Sequence, residues 1–278
     1  MVFVKFTNGF GNNIFQYVAA KQLAHFHNKE VYALCEPDYY AIPDLKSLGI
    51  KFFEPSSNEV TQNCIQVGDS NYLSYFSEQY SENNLCVSGY FEDYRYYKSN
   101  IQNIKKWFPH EDKKHANDLV VHVRLGDRLL YAETFDYRVE CNSFLNAIGK
   151  FSFENLHVVT DMPIWRAASE EEISKMRFHV NVDKSRQISI SSATKYFNSL
   201  VESFEKFSPI VENRNIVEDF NHIRSFGNIL FQHGTMAWWA AVLSDADNVG
   251  VYGPWRPWKG ASNKNLSDIN LKGWFKWE

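Results

Sequence analysis

The sequence has few of the residues that cross-link a small protein or carry a chain across a membrane. Its 278 residues include four cysteines, with no CxxC pair and no histidine at zinc-ligand spacing, so neither a disulfide framework nor a structural zinc is indicated. The longest apolar run, residues 236–243, is far shorter than the roughly 20 residues of a transmembrane helix. The first residues do not have the pattern of a signal peptide. We therefore expect a cytoplasmic protein without a membrane span.

The sequence also lacks an excess of positive charge. Its 29 Lys and Arg residues against 33 Asp and Glu residues give a net charge of −4. Tight binding to a nucleic acid or an anionic bilayer requires clustered basic side chains. We therefore expect no nucleic-acid partner, while a small anionic ligand held by one or two arginines stays open. The residues do not indicate an oligomeric state.

What the sequence does have is a hydrophobic fraction of 44% and an aromatic fraction of 16%, enough for a stable apolar core. Mostly apolar segments typical of strands alternate with segments of helical periodicity, which predicts parallel sheets covered by helices on both faces. We expect strands at residues 2–6, 30–34, 85–91, 119–124, 156–160, 178–182, 228–232 and 249–252. We expect helices at residues 14–24, 94–108, 141–150, 163–175, 219–224 and 235–243.

This alternation predicts an α/β protein made of two Rossmann-like domains. The polar, proline-flanked stretch of residues 110–117 is typical of a linker. It divides the chain into an N-terminal domain of residues 1–112 and a C-terminal domain of residues 113–260. The polar tail, residues 261–278, is expected to pack back onto the domains.

A glycine-rich segment, Gly9-Phe10-Gly11-Asn12-Asn13, joins the first predicted strand to the first helix. Glycines at this place let the backbone turn tightly and approach a ligand, and the N–H groups at a helix start favour an anion or a sugar hydroxyl. A lone GxG is explained equally well by an ordinary turn.

A second segment, residues 122–127 (HVRLGD), ends the strand that opens the second half. Arg124 offers a planar fork of donors that matches phosphate oxygens. His122 and Asp127 could orient it, bind the ligand or transfer a proton. The alternative is an arginine and an aspartate that pair locally at a strand end.

Two further segments contain polar residues where helices are expected to begin. Asp219 is a candidate ligand residue or a plain helix cap. Gly234 and Thr235 precede an apolar helix, where a hydroxyl and backbone N–H groups could receive a phosphate, or where the threonine is an ordinary N-cap. Trp238 and Trp239 are expected to be core residues.

Taken together, these segments resemble the α-1,2-fucosyltransferases. Residues 8–24 (NGFGNNIFQYVAAKQLA) are similar to that family's GGLGNQxFQYxxAxxLA signature, and residues 88–97 (SGYFEDYRYY) to its GYFQSxKYF segment. HVRLGD resembles the HxRRGD motif shared by several fucosyltransferase families. Residues 158–165 and 219–243 continue the resemblance in the same order, so that it covers most of the chain.

The resemblance implies a GT-B-like architecture, in which two Rossmann-like domains face a cleft. The second would bind GDP-fucose and the first would present an oligosaccharide acceptor, a galactoside in the α-1,2 case. The reaction would be inverting, with no metal and no cofactor beyond the co-substrate GDP-fucose. Arg124 matches the arginine whose charge stabilises the departing GDP.

The resemblance also assigns donor-binding roles to other residues. His122 and Asp219 would seat the nucleotide and its guanine, and Thr235, beside Gly234, would hold the pyrophosphate. Gly11 and Asn12 would line the cleft.

The resemblance does not identify the general base that must accept the acceptor's proton. Asp127, Glu92 and Asp93 are candidates, and the diphosphate is another.

Some positions depart from the family pattern. Leu125 replaces the second arginine of HxRRGD, and His233-Gly234 replaces Asn-Ser. These departures leave two alternatives open: a transferase on the same scaffold with a different nucleotide-sugar donor, or a nucleotide- or carbohydrate-binding module without catalysis. An NAD-dependent enzyme is disfavoured because no GxGxxG joins strand and helix.

Overall fold

The computed structural model describes residues 1–7, 9–36, 39–53, 63–110, 112–125, 138–161, 190–212, 214–253 and 266–278. The chain forms two compact units, Met1–Pro109 with Pro257–Asp268, and His110–Arg256 with Ile269–Glu278. Each unit has its own parallel sheet. The α/β class with two parallel sheets is thereby confirmed.

The first unit contains a four-stranded parallel sheet. Its strands are β1 (Val2–Lys5), β2 (Val31–Leu34), β3 (Ile65–Val67) and β4 (Leu85–Val87), in the order β2-β1-β4-β3. Its helices are α1 (Phe10–Phe26), α2 (Ile42–Ser47) and α3 (Ile101–Trp107), with 3₁₀ turns at Tyr72–Phe76, Tyr94–Tyr96 and Leu266–Asp268. The two inner strands, β1 and β4, have the most completely buried side chains.

The first helix begins earlier than its periodicity predicts. Its N-cap is Gly9, with an ordinary φ of −87°, and the amide of Asn13 donates to the carbonyl of Gly9 at 3.0 Å. Asn13 and Gln16 are buried, and the side-chain amide of Gln16 donates to the carbonyl of Gly89 at 2.8 Å and to the hydroxyl of Thr7 at 2.9 Å. These polar residues tie α1 to the loops that follow β1 and β4.

The predicted helix at residues 94–108 is wrong over its first half. Only Ile101–Trp107 is α-helical, and Tyr94–Tyr96 is a single 3₁₀ turn. The carboxylate of Asp93 accepts from the backbone N–H of Arg95 at 2.9 Å, which closes a separate turn. Such local side-chain bonds compete with a continuous helix.

The second unit contains a six-stranded parallel sheet, in the order β10-β9-β8-β5-β6-β7. Its strands are β5 (His115–Val123), β6 (Leu156–Thr160), β7 (Ile210–Glu212), β8 (Phe226–Phe231), β9 (Asn248–Tyr252) and β10 (Trp274–Trp277). Its helices are α4 (Cys141–Ile148), α5 (Ile190–Ser203), α6 (Ile216–Arg224) and α7 (Thr235–Leu243), with a 3₁₀ turn at Glu205–Phe207. The helix predicted at 163–175 and the strand predicted at 178–182 lie outside the described residues.

The linker predicted at residues 110–117 is wrong in its second half. His115 to Asn117 belong to β5, although they are mostly exposed and polar. The amide of His115 donates to the carbonyl of Ser225 at 3.1 Å, so backbone pairing rather than apolar burial extends the strand. The compact units separate between Pro109 and His110. Within the predicted tail, residues 274–277 form β10 beside β9.

The two faces of the second sheet carry different residues. Leu119, Val121 and Val123 of β5 lie on one face, in a core with residues of β6, α4, α5 and β10. Successive side chains of a strand point to opposite faces. His122 and His157 therefore lie on the other face, where the ring of His157 contacts that of His222 on α6.

Each sheet contains one place where its chain connections diverge. β1 has β2 on one side and β4 on the other, and β5 has β6 on one side and β8 on the other. Open parallel sheets bind ligands outside the carboxyl ends of such strand pairs. The loops after β1 and β4, and those after β5 and β8, are therefore the places at which to look for function.

A tight backbone contact at the start of β8 gives a test of this sheet. A Cβ on Gly227 would lie 1.9 Å from the carbonyl oxygen of Ala116, beside an irregularity in the pairing of β5 with β8. We expect Gly227→Ala to lower the free energy of unfolding by about 3 kcal/mol, because a neighbouring backbone must move. Urea denaturation measures this. In the control Gly149→Ala, the new methyl would meet its nearest backbone oxygen at 3.4 Å. Equal stabilities of the two variants would contradict the described pairing.

Candidate functional site

Arg124 lies where β5 ends, and groups from both neighbouring strands hold it. Its Nη1 donates to Oδ2 of Asp161, which follows β6, and Oδ1 of Asp161 accepts from the amide of Leu125 at 2.7 Å. The side-chain amide of Gln232, which follows β8, donates to the carbonyl of Arg124 at 2.6 Å. The arginine side chain is about one-third exposed, at 32%. The guanidinium is thus held in one orientation and can still be reached from solvent.

This ion pair bears on the alternative in which Arg124 pairs with an aspartate at a strand end. Arg124 does pair with an aspartate at a strand end, but the partner is Asp161 on the adjacent strand. Asp127 lies outside the described residues. Leu125, which replaces the family's second arginine, is fully buried in the core.

Helix α7 begins directly against Arg124 and His122. Its N-cap, Gly234, has a φ of +114°, a conformation that residues with a side chain rarely adopt. A Cβ built on Gly234 would lie 3.7 Å from Cε1 of His122 and 3.8 Å from Cβ of Arg124. Because glycine has no side chain to cap the helix, the first N–H groups of α7, starting at Thr235, are suited to an anion. Trp238 and Trp239 are fully buried, as predicted.

His122 is a buried histidine beside the arginine. It is 3% exposed, and among the described residues its Nδ1 has no hydrogen-bond partner. Burial, and then the charge of Arg124, lower the pKa of His122 to about 3. The ring is therefore neutral at physiological pH and has one nitrogen that can bond to a ligand.

Asp219 lies in α6 and does not cap it, so the capping alternative is wrong. The cap is Asn215, whose side chain accepts from the amides of Val217 at 3.1 Å and Glu218 at 2.9 Å. Burial raises the pKa of Asp219 to about 7, although Arg214 opposes this shift. Oδ1 of Asp219 has no hydrogen bond within the described part of the chain, and Nη1 of Arg214 is 3.8 Å away. Asp219 therefore offers a buried acceptor oxygen in the second unit.

In the first unit, Asn12 and Glu92 come together at the ends of β1 and β4. The side-chain amide of Asn12 donates to Oε1 of Glu92 at 2.8 Å, and Glu92 is 6% exposed. Gly11 is buried in the same helical turn as Asn12. Phe91, which precedes Glu92, is in the left-handed region at a φ of +54°. Asp69 accepts from its amide at 2.7 Å, which fixes the backbone that positions Glu92.

Asp93 is less available for proton transfer than its neighbour Glu92. Its Oδ1 accepts from the amide and from Nε of Arg95, both at 2.9 Å, and its Oδ2 also pairs with that guanidinium. The other predicted site residues fall into two groups by unit. Gly11, Asn12 and Glu92 lie in the first unit, and the second unit contains His122, Arg124, Asp219, Gly234 and Thr235.

Sequence reasoning missed several residues around Arg124. Asp161 and Gln232 each follow a buried strand directly, and a polar residue at that place is the signal that could have found them. Arg214 follows β7, which the sequence analysis did not predict. Its guanidinium pairs with Oε1 of Glu212.

A second group of ionisable residues lies on the same face of the sheet as His122. We call it the histidine cluster: it consists of His115, Asp118, His157, Glu212 and His222. Burial would raise the pKa of Glu212, but hydrogen bonds and charge from His157, His222 and Arg214 hold it below its usual value. Histidine nitrogens and carboxylate oxygens are metal-ligand types. The histidines come from three elements far apart in sequence, so spacing could not reveal them.

No protein-family model matches this chain, and no curated protein matches it. Among solved structures, it is similar to an Arabidopsis thaliana FUT1 mutant in complex with GDP, with 9% sequence identity and a TM-score of 0.44. The likeness covers 90% of this chain and 70% of that chain. At this low similarity, neither the ligand nor the reaction of that protein can be assigned to this chain.

Within the described ranges, none of the helices combines the length and the apolar character that crossing a bilayer requires.

The raised pKa of Asp219 predicts an unusual pH dependence. Between pH 4 and 7 the unfolded chain loses this proton while the folded chain keeps it, so the contribution of Asp219 to wild-type stability falls as pH rises. We expect Asp219→Asn to become more stable than wild type over this range, by about 1 kcal/mol per pH unit, with little difference near pH 4. Urea denaturation at several pH values measures this. The control is Glu202→Gln, which alters an exposed carboxylate of the same unit. Parallel curves for wild type and Asp219→Asn would contradict the prediction.

Proposed function

We propose that the protein is an inverting glycosyltransferase that moves L-fucose from GDP-β-L-fucose to a hydroxyl of an oligosaccharide acceptor, with a galactoside in α-1,2 linkage as the first candidate. One observation carries the proposal: Arg124, His122 and the start of α7 meet at the ends of β5 and β8, where the connections of the sheet diverge. The resemblance of five sequence segments to the α-1,2-fucosyltransferases supports it independently.

Arg124 is suited to the diphosphate of the donor. A guanidinium has five N–H donors in one plane, which is more than a single carboxylate can use, and it matches phosphate oxygens in pairs. Asp161 holds the guanidinium in place, so little ordering is needed when the donor binds. The amides that begin α7 and the hydroxyl of Thr235 add donors for the same phosphates.

The charge of Arg124 also suits the chemical step. The acceptor hydroxyl attacks the anomeric carbon as the bond to GDP breaks, the sugar passes through an oxocarbenium-like transition state, and negative charge grows on the leaving diphosphate. A fixed positive charge stabilises that transition state more than the ground state. In this proposal the arginine provides the charge that a metal ion provides in other transferases.

His122 and Asp219 are proposed to recognise the nucleoside. Above its raised pKa the carboxylate of Asp219 is ionised and accepts hydrogen bonds only. The base edge of guanine presents N–H donors, so the buried oxygen of Asp219 is then a matching partner. The neutral ring of His122 can bond to the donor through Nδ1 without adding positive charge beside Arg124.

Glu92 is the proposed general base among the residues that the structure describes. Asn12 orients its carboxylate at 2.8 Å, whereas Asp93 is paired with Arg95. The side-chain amide of Asn12 is neutral, whereas the guanidinium of Arg95 stabilises the charged form of Asp93, and this difference favours Glu92 as the proton acceptor. The diphosphate stays an alternative acceptor of the proton.

Donor identity is tested by calorimetry with GDP, GDP-fucose, GDP-mannose and UDP-galactose, followed by an assay for nucleotide release with galactoside acceptors. We expect GDP and GDP-fucose to bind, UDP-galactose not to bind, and GDP to be released only with an acceptor. Binding of another nucleotide sugar in place of GDP-fucose would favour a different donor on this scaffold. Binding of GDP-fucose without turnover on any acceptor would favour a non-catalytic module.

The role of Arg124 is tested by substitution. We expect Arg124→Ala to lower kcat by roughly 10²–10³-fold, the usual cost of losing one preorganised donor for developing charge. Arg124→Lys should recover part of the rate, because it restores the charge without the planar fork. Lys195→Ala, which removes an exposed cation from α5, is the control. Transfer near the wild-type rate in a folded Arg124→Ala variant would refute the assignment.

A further inference from the structure

The histidine cluster has the composition of a metal site and is not among the residues assigned to the donor. Glu212 ends β7, His157 lies in β6, and His222 lies in α6. Oε2 of Glu212 is 3.0 Å from Nδ1 of His157 and 2.8 Å from Nε2 of His222. All three atoms lie within 4.8 Å of one another. One carboxylate oxygen and two imidazole nitrogens therefore converge on a single point.

These separations are close to those of a zinc site. Zinc binds imidazole nitrogen and carboxylate oxygen at about 2.0–2.2 Å, so two ligands of a tetrahedral ion are about 3.4 Å apart. Shifts of roughly half an ångström in the Glu212 side chain, which is 21% exposed, would bring its Oε2 to that distance from both nitrogens, which lie within 4.8 Å of each other. A water molecule would complete the tetrahedron.

The groups around the three ligands are arranged as a metal site needs. A histidine that binds a metal usually directs its other ring nitrogen at a carboxylate. Nε2 of His157 is 3.6 Å from Oδ2 of Asp118, and Oδ1 of Asp118 accepts from the side-chain amide of Asn155 at 2.8 Å. Oε1 of Glu212 is held by Arg214, which leaves Oε2 directed at the histidines. His157 and Glu212 are thus each oriented by a second polar contact.

Local charge favours a dication. With neutral histidines, the two carboxylates of the cluster and Arg214 sum to one negative charge. His222 is partly exposed, at 14% of its side chain, so an ion can enter from solvent. Two nitrogens and one oxygen suit zinc and neighbouring divalent transition metals better than Mg²⁺ or Ca²⁺, which prefer oxygen ligands.

We propose that His157, His222 and Glu212 bind one divalent transition-metal ion, with Zn²⁺ the preferred ion, and that this ion fastens α6 to β6 and β7. The role is structural, since the ion joins three elements that are otherwise connected here by hydrogen bonds. Asp219 lies one turn before His222 on α6, so the metal would also steady the helix that presents Asp219. The proposal does not depend on the proposed transferase activity.

The experiment uses the full chain after dialysis against EDTA and then against metal-free buffer. Calorimetric titration with ZnCl₂ gives affinity and stoichiometry, and titration with CoCl₂ gives the visible absorption bands of four-coordinate Co²⁺. We expect one ion per chain and a higher melting temperature with Zn²⁺. We expect His222→Gln to weaken binding by about 100-fold or more and to abolish the thermal shift. His25→Gln, which removes an exposed histidine of α1, should leave both unchanged.

Three results would overturn the proposal. One is no Zn²⁺ binding by wild type. Another is equal binding by wild type and His222→Gln. The third is loss of binding in His115→Gln with binding retained in His222→Gln, which would place the ion at the neighbouring group of His115, Asp118 and His157. If circular dichroism shows that His222→Gln does not fold, Glu212→Asp replaces it. The shorter side chain of that variant keeps the charge but moves the carboxylate oxygen away from the two histidines. An unchanged affinity for Zn²⁺ would therefore also overturn the proposal.

Discussion

The ion pair between Arg124 and Asp161 organises the second unit, because it joins the ends of two neighbouring parallel strands around one charged group. A guanidinium at a strand end would otherwise sample many positions, and ordering it would oppose ligand binding. Asp161 limits those positions in advance, and Gln232 fixes the backbone of Arg124 from the strand on its other side. The absence of a side chain at Gly234 lets α7 begin against this group. One ion pair, three strand ends and one helix start therefore meet in the second unit.

The same sheet carries two kinds of polar group on one face, and their different partners give them different properties. His122 is shielded from water, and its Nδ1 has no hydrogen-bond partner among the described residues, so the ring stays neutral and this nitrogen can bond to a ligand. In the histidine cluster, each carboxylate contacts two histidines, so acceptors and donors are matched to one another. The groups of the histidine cluster would exchange their mutual hydrogen bonds for bonds to an ion, whereas buried polar groups left unsatisfied can bind a ligand directly. Asp219 and His122 are of the second kind.

Much of the fold followed from the sequence, because long apolar strands such as β5, β6 and β8 are hard to mistake. The strands that were missed, β3, β7 and β10, have three or four residues each and contain polar side chains, so no periodicity identifies them. Arg124, His122 and Thr235 were predicted to share a site because each lies at a strand end or helix start. The partner of Arg124 could not be predicted, since the pairing of β5 with β6 decides it. The histidine cluster was invisible for the same reason: residues 115, 157 and 222 meet only through sheet order and the path of α6.

The register of the second sheet also bears on how the protein folds. β5 pairs with β8 through residues far apart in the chain, Leu119 with Asn228 and His122 with Phe231. Contacts of such long sequence separation are slow to form, because closing the loop costs conformational entropy before any pairing stabilises the structure. We therefore expect the strand pair that positions Arg124 to assemble late, after the helices and strands between β5 and β8 have begun to pack. Until then the apolar β8 has no neighbour on its β5 side, and this interval is when the chain is most exposed to aggregation.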